Sequence, residues 1–317
     1  GQAVNEPLFA LAGKRVWVAG HRGMVGSALV RRLAAERCEI LTVSRAELDL
    51  RRQSDVEAWM ARHRPDAIFL AAAQVGGILA NESHPAQFLH DNLAIQTNVI
   101  EAARCTGTLK LMFLGSVCVY PTLAPQPVPE DSLLTGPLES TNEGYAIAKI
   151  AGLKMVQAYR RENCCDFISA MPANLYGPGD NFDLATSHVL PALLRKAHDA
   201  KRSGMREIVI WGTGKPRREF LHVDDCADAL VFLMKGYSGE SPVNIGTGAD
   251  ITILELARLV TQVVGFDGAI RTDPSRPDGT PARLMSTARL DALGWKPHIA
   301  LTDGIARTYK WFLDNQA

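Results

Sequence analysis

Lys14-Arg-Val-Trp-Val-Ala-Gly-His-Arg-Gly-Met-Val-Gly26 is a short β-rich run that leads into a GxxGxxG motif, and a helical pattern follows it from Val25 to Glu36. Between a strand and a helix, the first glycine permits a tight turn, the second lets backbone approach a pyrophosphate, and the third allows close packing. The segment therefore predicts a dinucleotide at the helix N-terminus, where the helix dipole favours negative charge. The residues assigned to this site are Gly20, His21, Arg22, Gly23, Met24, Val25 and Gly26.

Strands and helices alternate through the next 150 or so residues, which is typical of a parallel sheet. The predicted strands are Glu39–Val43, Ala67–Ala73, Leu109–Leu114 and Phe167–Met171, and the predicted helices are Ser54–His63 (with Ser54 as N-cap), Asp91–Ala103 and Tyr145–Arg161. The pattern predicts an α/β fold with a Rossmann-type doubly wound parallel sheet and a smaller C-terminal substrate-binding lobe. We expect residues 14–175 to form the dinucleotide-binding domain, with a returning strand near 243–248, and residues 176–317 to form mainly the substrate-binding lobe.

The composition excludes several classes of protein. Of the 317 residues, 47% are hydrophobic and 21% are charged, and 34 Lys and Arg balance 34 Asp and Glu, which argues against a general nucleic-acid binder. No apolar run is long enough to span a membrane, and residues 1–13 lack the pattern of a secretory signal. The six cysteines show no metal-site spacing, so we expect no metal and reduced thiols in a cytoplasmic enzyme.

The second predicted strand indicates which nicotinamide cofactor binds. An NAD site usually places an acidic residue at the end of this strand, but here it runs into Thr42-Val-Ser-Arg45. Arg45 and Arg22 are suited to clasp a 2′-phosphate, which favours NADP(H); the alternative is that both are solvated surface charges. Asp49 and Leu50 are candidates for the adenine pocket.

Tyr145-Ala-Ile-Ala-Lys149 places a phenol and an ammonium on one face of a helix, because residues four apart are neighbours there. A nearby cation stabilises a phenolate, so Lys149 is expected to lower the pKa of Tyr145 and suit it to acid–base chemistry. Ser116 follows a predicted strand and is placed to polarise a carbonyl that accepts hydride. The three residues predict a carbonyl reductase site.

Together these residues resemble the extended short-chain dehydrogenase/reductase family, and within it the enzymes that epimerise and reduce GDP-4-keto sugars. The segments that carry the resemblance are Gly20–Gly26, Ala71–Ile78, Leu114–Pro121, Tyr145–Lys149, Asn174–Pro178, Ser187–Leu194 and Arg218–Asp225. The resemblance implies an enzyme that converts GDP-4-keto-6-deoxy-D-mannose to GDP-L-fucose with NADPH. It would epimerise carbons 3 and 5 and then reduce the ketone at carbon 4.

The resemblance also implies roles for further residues. Cys118 would be the base of the epimerisation and His188 the acid, although either is also compatible with a packing role. The cofactor would further contact Leu114, Gly115, Lys149, Pro172, Asn174, Leu175 and His188, and the GDP-sugar would contact Lys196, Trp211, Arg218 and Asp278. A homodimer formed through the helices at 91–103 and 145–161 is expected on the same ground.

One departure concerns the catalytic loop, where this chain has Ser116-Val117-Cys118 and the family usually has Ser-Ser-Cys. The missing hydroxyl leaves the particular sugar open. The alternatives are the same chemistry on a related GDP-4-keto sugar of the colitose or heptose type, a UDP-sugar 4-epimerase that retains NAD, and a non-catalytic dinucleotide-binding sensor. Arg45 and the pair Cys118 and His188 argue against the UDP-sugar epimerase, and Tyr145 and Lys149 against the sensor.

Overall fold

The computed structural model describes residues 8–73 and 83–316. Its main sheet has six parallel strands in the order β10-β5-β4-β3-β1-β2, which confirms the α/β fold class and the doubly wound sheet. The strands of this sheet are β1 (Arg15–Ala19), β2 (Glu39–Leu41), β3 (Ala67–Leu70), β4 (Lys110–Leu114), β5 (Phe167–Pro172) and β10 (Val243–Ile245). The late strand β10 pairs with β5 and so returns the chain to the sheet from far along the sequence.

Helices cover both faces of this sheet, as short crossover connections between parallel strands require. They are α1 (Met24–Leu33), α2 (Gln53–His63), α3 (Pro85–Cys105), α4 (Glu143–Asn163) and α6 (Val223–Gly236). The middle strands β3, β4 and β5 are buried along their whole length, in keeping with their continuous apolar sequences. Among the described residues, no helix is long and apolar enough to cross a membrane.

Some predicted element boundaries are wrong. Ser54 lies inside the first turn of α2, because Arg52 has the extended backbone of an N-cap and its carbonyl accepts from Val56 N. The helix predicted from Asp91 begins at Pro85, where the missing proline N–H costs nothing in a first turn. The strand predicted to reach Ala73 ends at Leu70, because pairing with β1 ends there.

The second hydrophobic cluster lies in the C-terminal part of the chain. It contains Phe182, Leu194, Ile210, Leu256 and Phe312 and is separate from the cluster around the main sheet. The elements of this part are α5 (Val189–Ser203), α7 (Ile253–Val264), α8 (Ala288–Leu293), α9 (Leu301–Asn315), β6 (Asn174–Tyr176), β7 (Glu207–Trp211), β8 (Arg217–Arg218), β9 (Phe220–His222), β11 (Ile251–Thr252), β12 (Ala269–Asp273) and β13 (Ala282–Arg283).

Three small sheets join these elements, with strand orders β11-β8-β13, β12-β7 and β6-β9. Because β6 and the turn after β10 both follow strands of the main sheet, these sheets start from the carboxyl edge of that sheet. In open parallel sheets this edge is where ligands bind. The fold therefore brings the C-terminal elements to the edge at which the glycine motif ends β1.

Helix α4 packs against β4 through a residue without a side chain. A Cβ built on Gly152 would lie 2.3 Å from the Phe113 ring, whereas one built on Gly144 of the same helix would have no neighbour closer than 3.7 Å. The close approach at Gly152 sets the distance between α4 and the strand that precedes Ser116.

We expect Gly152→Ala to lower the free energy of unfolding by about 1–3 kcal/mol, because the added methyl group overpacks against Phe113. The matched control, Gly144→Ala, should leave stability unchanged or raise it by up to about 1 kcal/mol, since alanine is the better helix former. Urea unfolding of both variants measures the difference. Equal stability of the two would show that the contact at Gly152 does not constrain the helix.

Candidate active site

The glycine motif, residues 20–26, forms a turn at the start of α1 in which the glycines leave the backbone uncovered by side chains; we call this turn the glycine cradle. Gly20 has φ +87°, which suits glycine, and a Cβ on Gly26 would lie 1.9 Å from the Gly20 carbonyl oxygen. Gly23 is the N-cap, and the first turn carries neither a side-chain cap nor an acidic residue. His21, Met24 and Val25 are partly buried beside this turn, and Arg22 is exposed. The cradle has the shape and the polarity that a diphosphate needs.

The candidates for the adenosine end are only partly available to a ligand. Arg45 is exposed after β2. The Asp49 carboxylate is bound within the protein by Arg51 at 2.9 Å, and this hydrogen-bonded pair lowers the pKa of Asp49 to about 2. Leu50 is partly buried, and its carbonyl accepts from the Asn98 amide at 2.9 Å.

A second group of predicted residues meets where β4 ends against α4. The buried Lys149 ammonium donates to the Leu114 carbonyl at 2.9 Å and lies 5.6 Å from the centre of the Tyr145 ring. Ser116 begins a short 3₁₀ turn, and its hydroxyl accepts from Cys118 N at 3.5 Å. The structure therefore brings Ser116, Cys118, Tyr145 and Lys149 together.

The predicted effect of Lys149 on Tyr145 is wrong for this structure. Burial raises the pKa of Tyr145, and the charge of Cys118 raises it further, while no lowering by Lys149 is found. The ammonium lies over the phenol ring and donates its hydrogen bond to Leu114, so it does not reach the hydroxyl. Burial also lowers the pKa of Lys149 to about 8.

The Cys118 thiol is buried, and desolvation raises its pKa. The hydroxyl of Ser116 and the charges of Lys149 and Arg283 act in the opposite direction. Deprotonation of this thiol therefore depends on the cations around it. A buried thiol under the electrostatic influence of two cations has the setting of an acid–base group.

The sequence analysis did not single out Arg283. It lies on β13 in register with Arg218 on β8, and its charge is felt by both Arg218 and Cys118. Burial lowers the pKa of Arg218, and the nearby Arg283 lowers it further. The only signal in the sequence was a basic residue in a Pro-Gly-rich segment, which is too common to single out.

His188 is less closely connected to the cluster than the sequence implied. It is the N-cap of α5, it reaches solvent, and desolvation by its surroundings lowers its pKa. In residues 8–73 and 83–316 no hydrogen bond or ion pair joins it to Cys118 or Tyr145. Gly115 and Pro172 are buried near the ends of β4 and β5, Leu175 is partly buried, and Asn174 is exposed.

The loop after β6 approaches the glycine cradle from the other side. A Cβ on Gly179 would lie 3.9 Å from Met24 Cα. The next residue, Asp180, is buried and one of its oxygens has no partner among the described residues. Burial raises the pKa of this carboxyl to about 6. The sequence analysis did not single out Asp180.

The four predicted substrate residues differ in exposure and in how far hydrogen bonds within the protein already occupy them. Trp211 is 63% exposed, and the Lys196 ammonium lies 5.6 Å from its ring. Arg218 donates to the Thr280 carbonyl at 2.6 Å. Both Asp278 oxygens accept from Thr213, its N–H at 2.6 Å and its hydroxyl at 2.9 Å, so this carboxylate holds a turn.

Glu219 ties the strand of Arg218 to two other segments. Its buried carboxylate accepts from Thr247 N at 2.8 Å and Gly248 N at 3.0 Å after β10, and from Met285 N at 3.3 Å after β13. Burial raises the pKa of the carboxyl, and these N–H groups oppose the rise. One carboxylate thus positions Arg218 and β13 against the carboxyl edge of the main sheet.

Comparison with known proteins now places the chain. Residues 16–246 match the model of the NAD dependent epimerase/dehydratase family. The chain belongs to this family. Over 98% of its length it is 55% identical to a GDP-L-fucose synthase of Sinorhizobium fredii, of which 99% is covered. Over 95% of its length it is 36% identical to a GDP-L-colitose synthase of Yersinia pseudotuberculosis, again with 99% covered.

Solved structures agree with this assignment. A GDP-L-fucose synthetase from Naegleria fowleri bound to NADP matches this epimerase-family chain with a TM-score of 0.89 and 27% identity, covering 98% of this chain and 97% of that one. The motif Ala71–Ile78, part of the predicted resemblance, falls largely on residues 74–78, which lie outside the described residues.

In this epimerase-family chain, we expect Glu219→Gln to lower the free energy of unfolding by about 1–3 kcal/mol. The amide has one acceptor oxygen, so its NH2 group must face the N–H donors either of Thr247 and Gly248 or of Met285 and leave them unpaired. Urea unfolding checks this, with the exposed Glu162→Gln as the control for loss of one negative charge. Equal stability of the two variants would show that Glu219 does not hold the three segments together.

Proposed function

We propose that this protein is a bifunctional NADPH-dependent enzyme that converts GDP-4-keto-6-deoxy-D-mannose to GDP-L-fucose by 3,5-epimerisation and 4-reduction. The observation that carries the proposal is the contact of a thiol with a reductase site. Cys118 lies with Ser116, Tyr145 and Lys149, and a simple carbonyl reductase has no use for an additional base there. Near full-length similarity to GDP-L-fucose synthases supports the same chemistry.

The residues present fit NADP(H). The first turn of α1 has no side-chain cap, so its N–H groups are available to a diphosphate, and Gly26 lets the helix begin close against the Gly20 backbone. Arg45 and Arg22 are both exposed near this end of the sheet and would hold the 2′-phosphate. Gly115, Pro172, Asn174 and Leu175 lie at the carboxyl ends of β4 and β5 and would face the nicotinamide side, where Lys149 of α4 also reaches the end of β4. When bound, the cofactor supplies the hydride.

The epimerisation uses the acidity of the carbons beside the ketone. Carbons 3 and 5 both flank the carbonyl at carbon 4, so loss of a proton from either gives an enolate. Cys118, as thiolate, takes that proton, and Ser116 and Tyr145 donate hydrogen bonds to the enolate oxygen. His188 returns a proton to the opposite face, which inverts the carbon.

The reduction ends with a proton transfer from Tyr145. Hydride addition at carbon 4 places negative charge on the ketone oxygen, and the Tyr145 hydroxyl gives up its proton there. The Tyr145 hydroxyl is protonated at neutral pH, because burial raises its pKa further above the ordinary value. To stabilise the phenolate that remains, the Lys149 ammonium would have to move from its place over the ring toward the phenol oxygen.

The GDP group would be held by the C-terminal elements. Arg218 and Arg283 lie side by side on β8 and β13, where two like charges favour a bound diphosphate. Lys196 and Trp211 form the outer part of this surface, and Asp278 shapes the turn between them and Arg218. In this assignment residues 14–175 bind the cofactor and 176–317 mainly bind the substrate.

The second candidate function is the same chemistry on a colitose-type GDP-4-keto sugar. Two observations favour it enough to require a test: Val117 replaces a hydroxyl residue beside Ser116, and a GDP-L-colitose synthase is 36% identical to the chain. We rank it second because the similarity to GDP-L-fucose synthase is much higher. We further propose a cytoplasmic homodimer in which α3 and α4, which pack together, pair with the same helices of a second copy.

The first test is turnover. NADPH oxidation is followed by absorbance with freshly made GDP-4-keto-6-deoxy-D-mannose, and the product is identified by NMR. Formation of GDP-L-fucose is the expected result. A product with another configuration at carbon 3 or 5 would keep the reductase activity and revise the stereochemistry of the proposal. Bound NADPH without turnover would contradict the proposed substrate.

Two substitutions should separate the half-reactions. Cys118→Ser is expected to slow the exchange of the carbon-3 and carbon-5 protons into deuterated water by about 100-fold or more, because a general base is lost. Tyr145→Phe should stop NADPH oxidation while exchange continues. The controls are Cys105→Ser, an exposed thiol, and Tyr159→Phe on the same helix, whose hydroxyl donates to Glu101. Unchanged exchange in Cys118→Ser would remove Cys118 from the mechanism.

Arg45→Ala is expected to weaken binding of NADPH by about tenfold or more while binding of NADH changes little, because a charged hydrogen bond to the 2′-phosphate is lost. Dissociation constants from cofactor fluorescence measure both effects. Arg62→Ala, an exposed arginine on α2, serves as the control for overall charge. Similar losses for both cofactors in Arg45→Ala would show that Arg45 does not distinguish them.

A further inference from the structure

Trp211 presents an aromatic surface that the protein itself does not cover. It ends β7 with 63% of its side chain exposed. Two cations approach the ring, the Arg276 guanidinium at 4.7 Å from its centre and the Lys196 ammonium at 5.6 Å. An exposed tryptophan flanked by cations is a surface on which a flat, electron-rich ring can stack.

The Arg276 guanidinium has no other close partner. Within the described part of the chain it makes no hydrogen bond and no ion pair, and Asp273 interacts with it through charge alone. Its backbone is fixed, because Arg276 N donates to the Asp273 carbonyl at 3.2 Å. With its carbon over the indole and no hydrogen bond of its own among the described residues, the guanidinium keeps its N–H donors available.

Arg276 and Arg218 lie at two ends of one turn. The turn is held by Asp278, whose carboxylate accepts from Thr213 just after Trp211. At its far end the Thr280 carbonyl accepts from Arg218 at 2.6 Å. A nucleotide whose diphosphate lies at Arg218 would therefore extend along this turn toward Trp211 and Arg276.

We propose that Arg276 selects the guanine base of the substrate by donating two hydrogen bonds to its O6 and N7 atoms while the base stacks on Trp211. This inference rests on the proposed function and names the residue that would make the enzyme specific for GDP-sugars. A guanidinium and a base that lie against the same indole face are coplanar, which is the geometry in which the two N–H groups meet O6 and N7. Adenine has a donor in place of O6, and uracil lacks the N7 acceptor.

The chemistry requires arginine and not merely a positive charge. A lysine at this position would keep the attraction for a diphosphate but would lose the planar pair of donors. Base selection and phosphate attraction can therefore be separated by comparing two variants. Arg276→Lys keeps the positive charge and loses the planar donors, whereas Arg276→Ala loses both.

The test is calorimetric binding of GDP and of ADP to the full chain with NADP⁺ bound. We expect Arg276→Ala to weaken GDP binding by about 5- to 100-fold, the range found for two-bond recognition of guanine, and to change ADP binding less than about twofold. Arg276→Lys should lose GDP affinity nearly as much. The control is Arg271→Ala on β12, an arginine paired with Glu207, which should bind like the unsubstituted chain. With the GDP-sugar, KM should rise by the same factor while kcat is unchanged.

Three results would overturn the inference. Equal losses of GDP and ADP affinity would assign Arg276 to the diphosphate, and retention of GDP affinity by Arg276→Lys would assign it a role of charge alone. If the unsubstituted chain binds GDP and Arg276→Ala keeps the same preference for GDP over ADP, the inference is rejected. The proposed function then still stands. Unsubstituted chain that binds NADP⁺ but no GDP would reject the proposed function, and the inference with it.

Discussion

The buried ammonium of Lys149 is the interaction on which the candidate site depends. It donates to the Leu114 carbonyl at the end of β4 and lies beneath the rings of Phe113 and Tyr145. Burying a cation costs free energy unless its charge is met, and here a carbonyl and two aromatic faces meet it. Because Lys149 and Tyr145 share α4, this contact fixes the phenol beside the loop that carries Ser116 and Cys118.

Burial disfavours the charged forms of the acid–base groups of this site. It raises the pKa of Tyr145 and of Cys118 and lowers the pKa of Lys149. The two arginines on β8 and β13, in contrast, bring two positive charges close together, and Arg283 and Arg218 repel one another. A bound diphosphate would relieve that repulsion, so the site is arranged for an anion before one arrives.

The segments that form the site belong to two parts of the fold, the main sheet and the C-terminal elements, and Glu219 links these two parts. Arg218, next to it, extends from the C-terminal elements, while Thr247 and Gly248 follow a strand of the main sheet. A buried carboxylate with three N–H partners in fixed positions tolerates little displacement, because each broken bond would leave a polar group without a partner. This constraint explains how short strands such as β8 and β13, only two residues long, hold defined positions.

The sequence by itself determined the features that depend on local pattern. The glycine motif follows β1 because its spacing dictates a strand, a turn and a helix, and Tyr145 and Lys149 share a face because helical residues four apart always do. The parallel sheet followed from continuous apolar strands between helices. Helix ends such as that at Ser54 were less well predicted, because backbone conformation at Arg52 decides the cap and no single residue type announces it.

Only the tertiary structure decided which distant residues meet and how burial changes their chemistry. The charge of Arg283 acts on Cys118 because β13 pairs with β8, a pairing that no local pattern encodes. Asp49, which the sequence made a candidate for the adenine pocket, forms an ion pair with Arg51 instead. The direction of the pKa change of Tyr145 was predicted wrongly because desolvation depends on the packed surroundings, which spacing along a helix does not reveal. Sequence thus fixed which groups are present and their local order, since these follow from short-range geometry. Packing fixed their charge states and partners, since these depend on contacts between segments far apart in the chain.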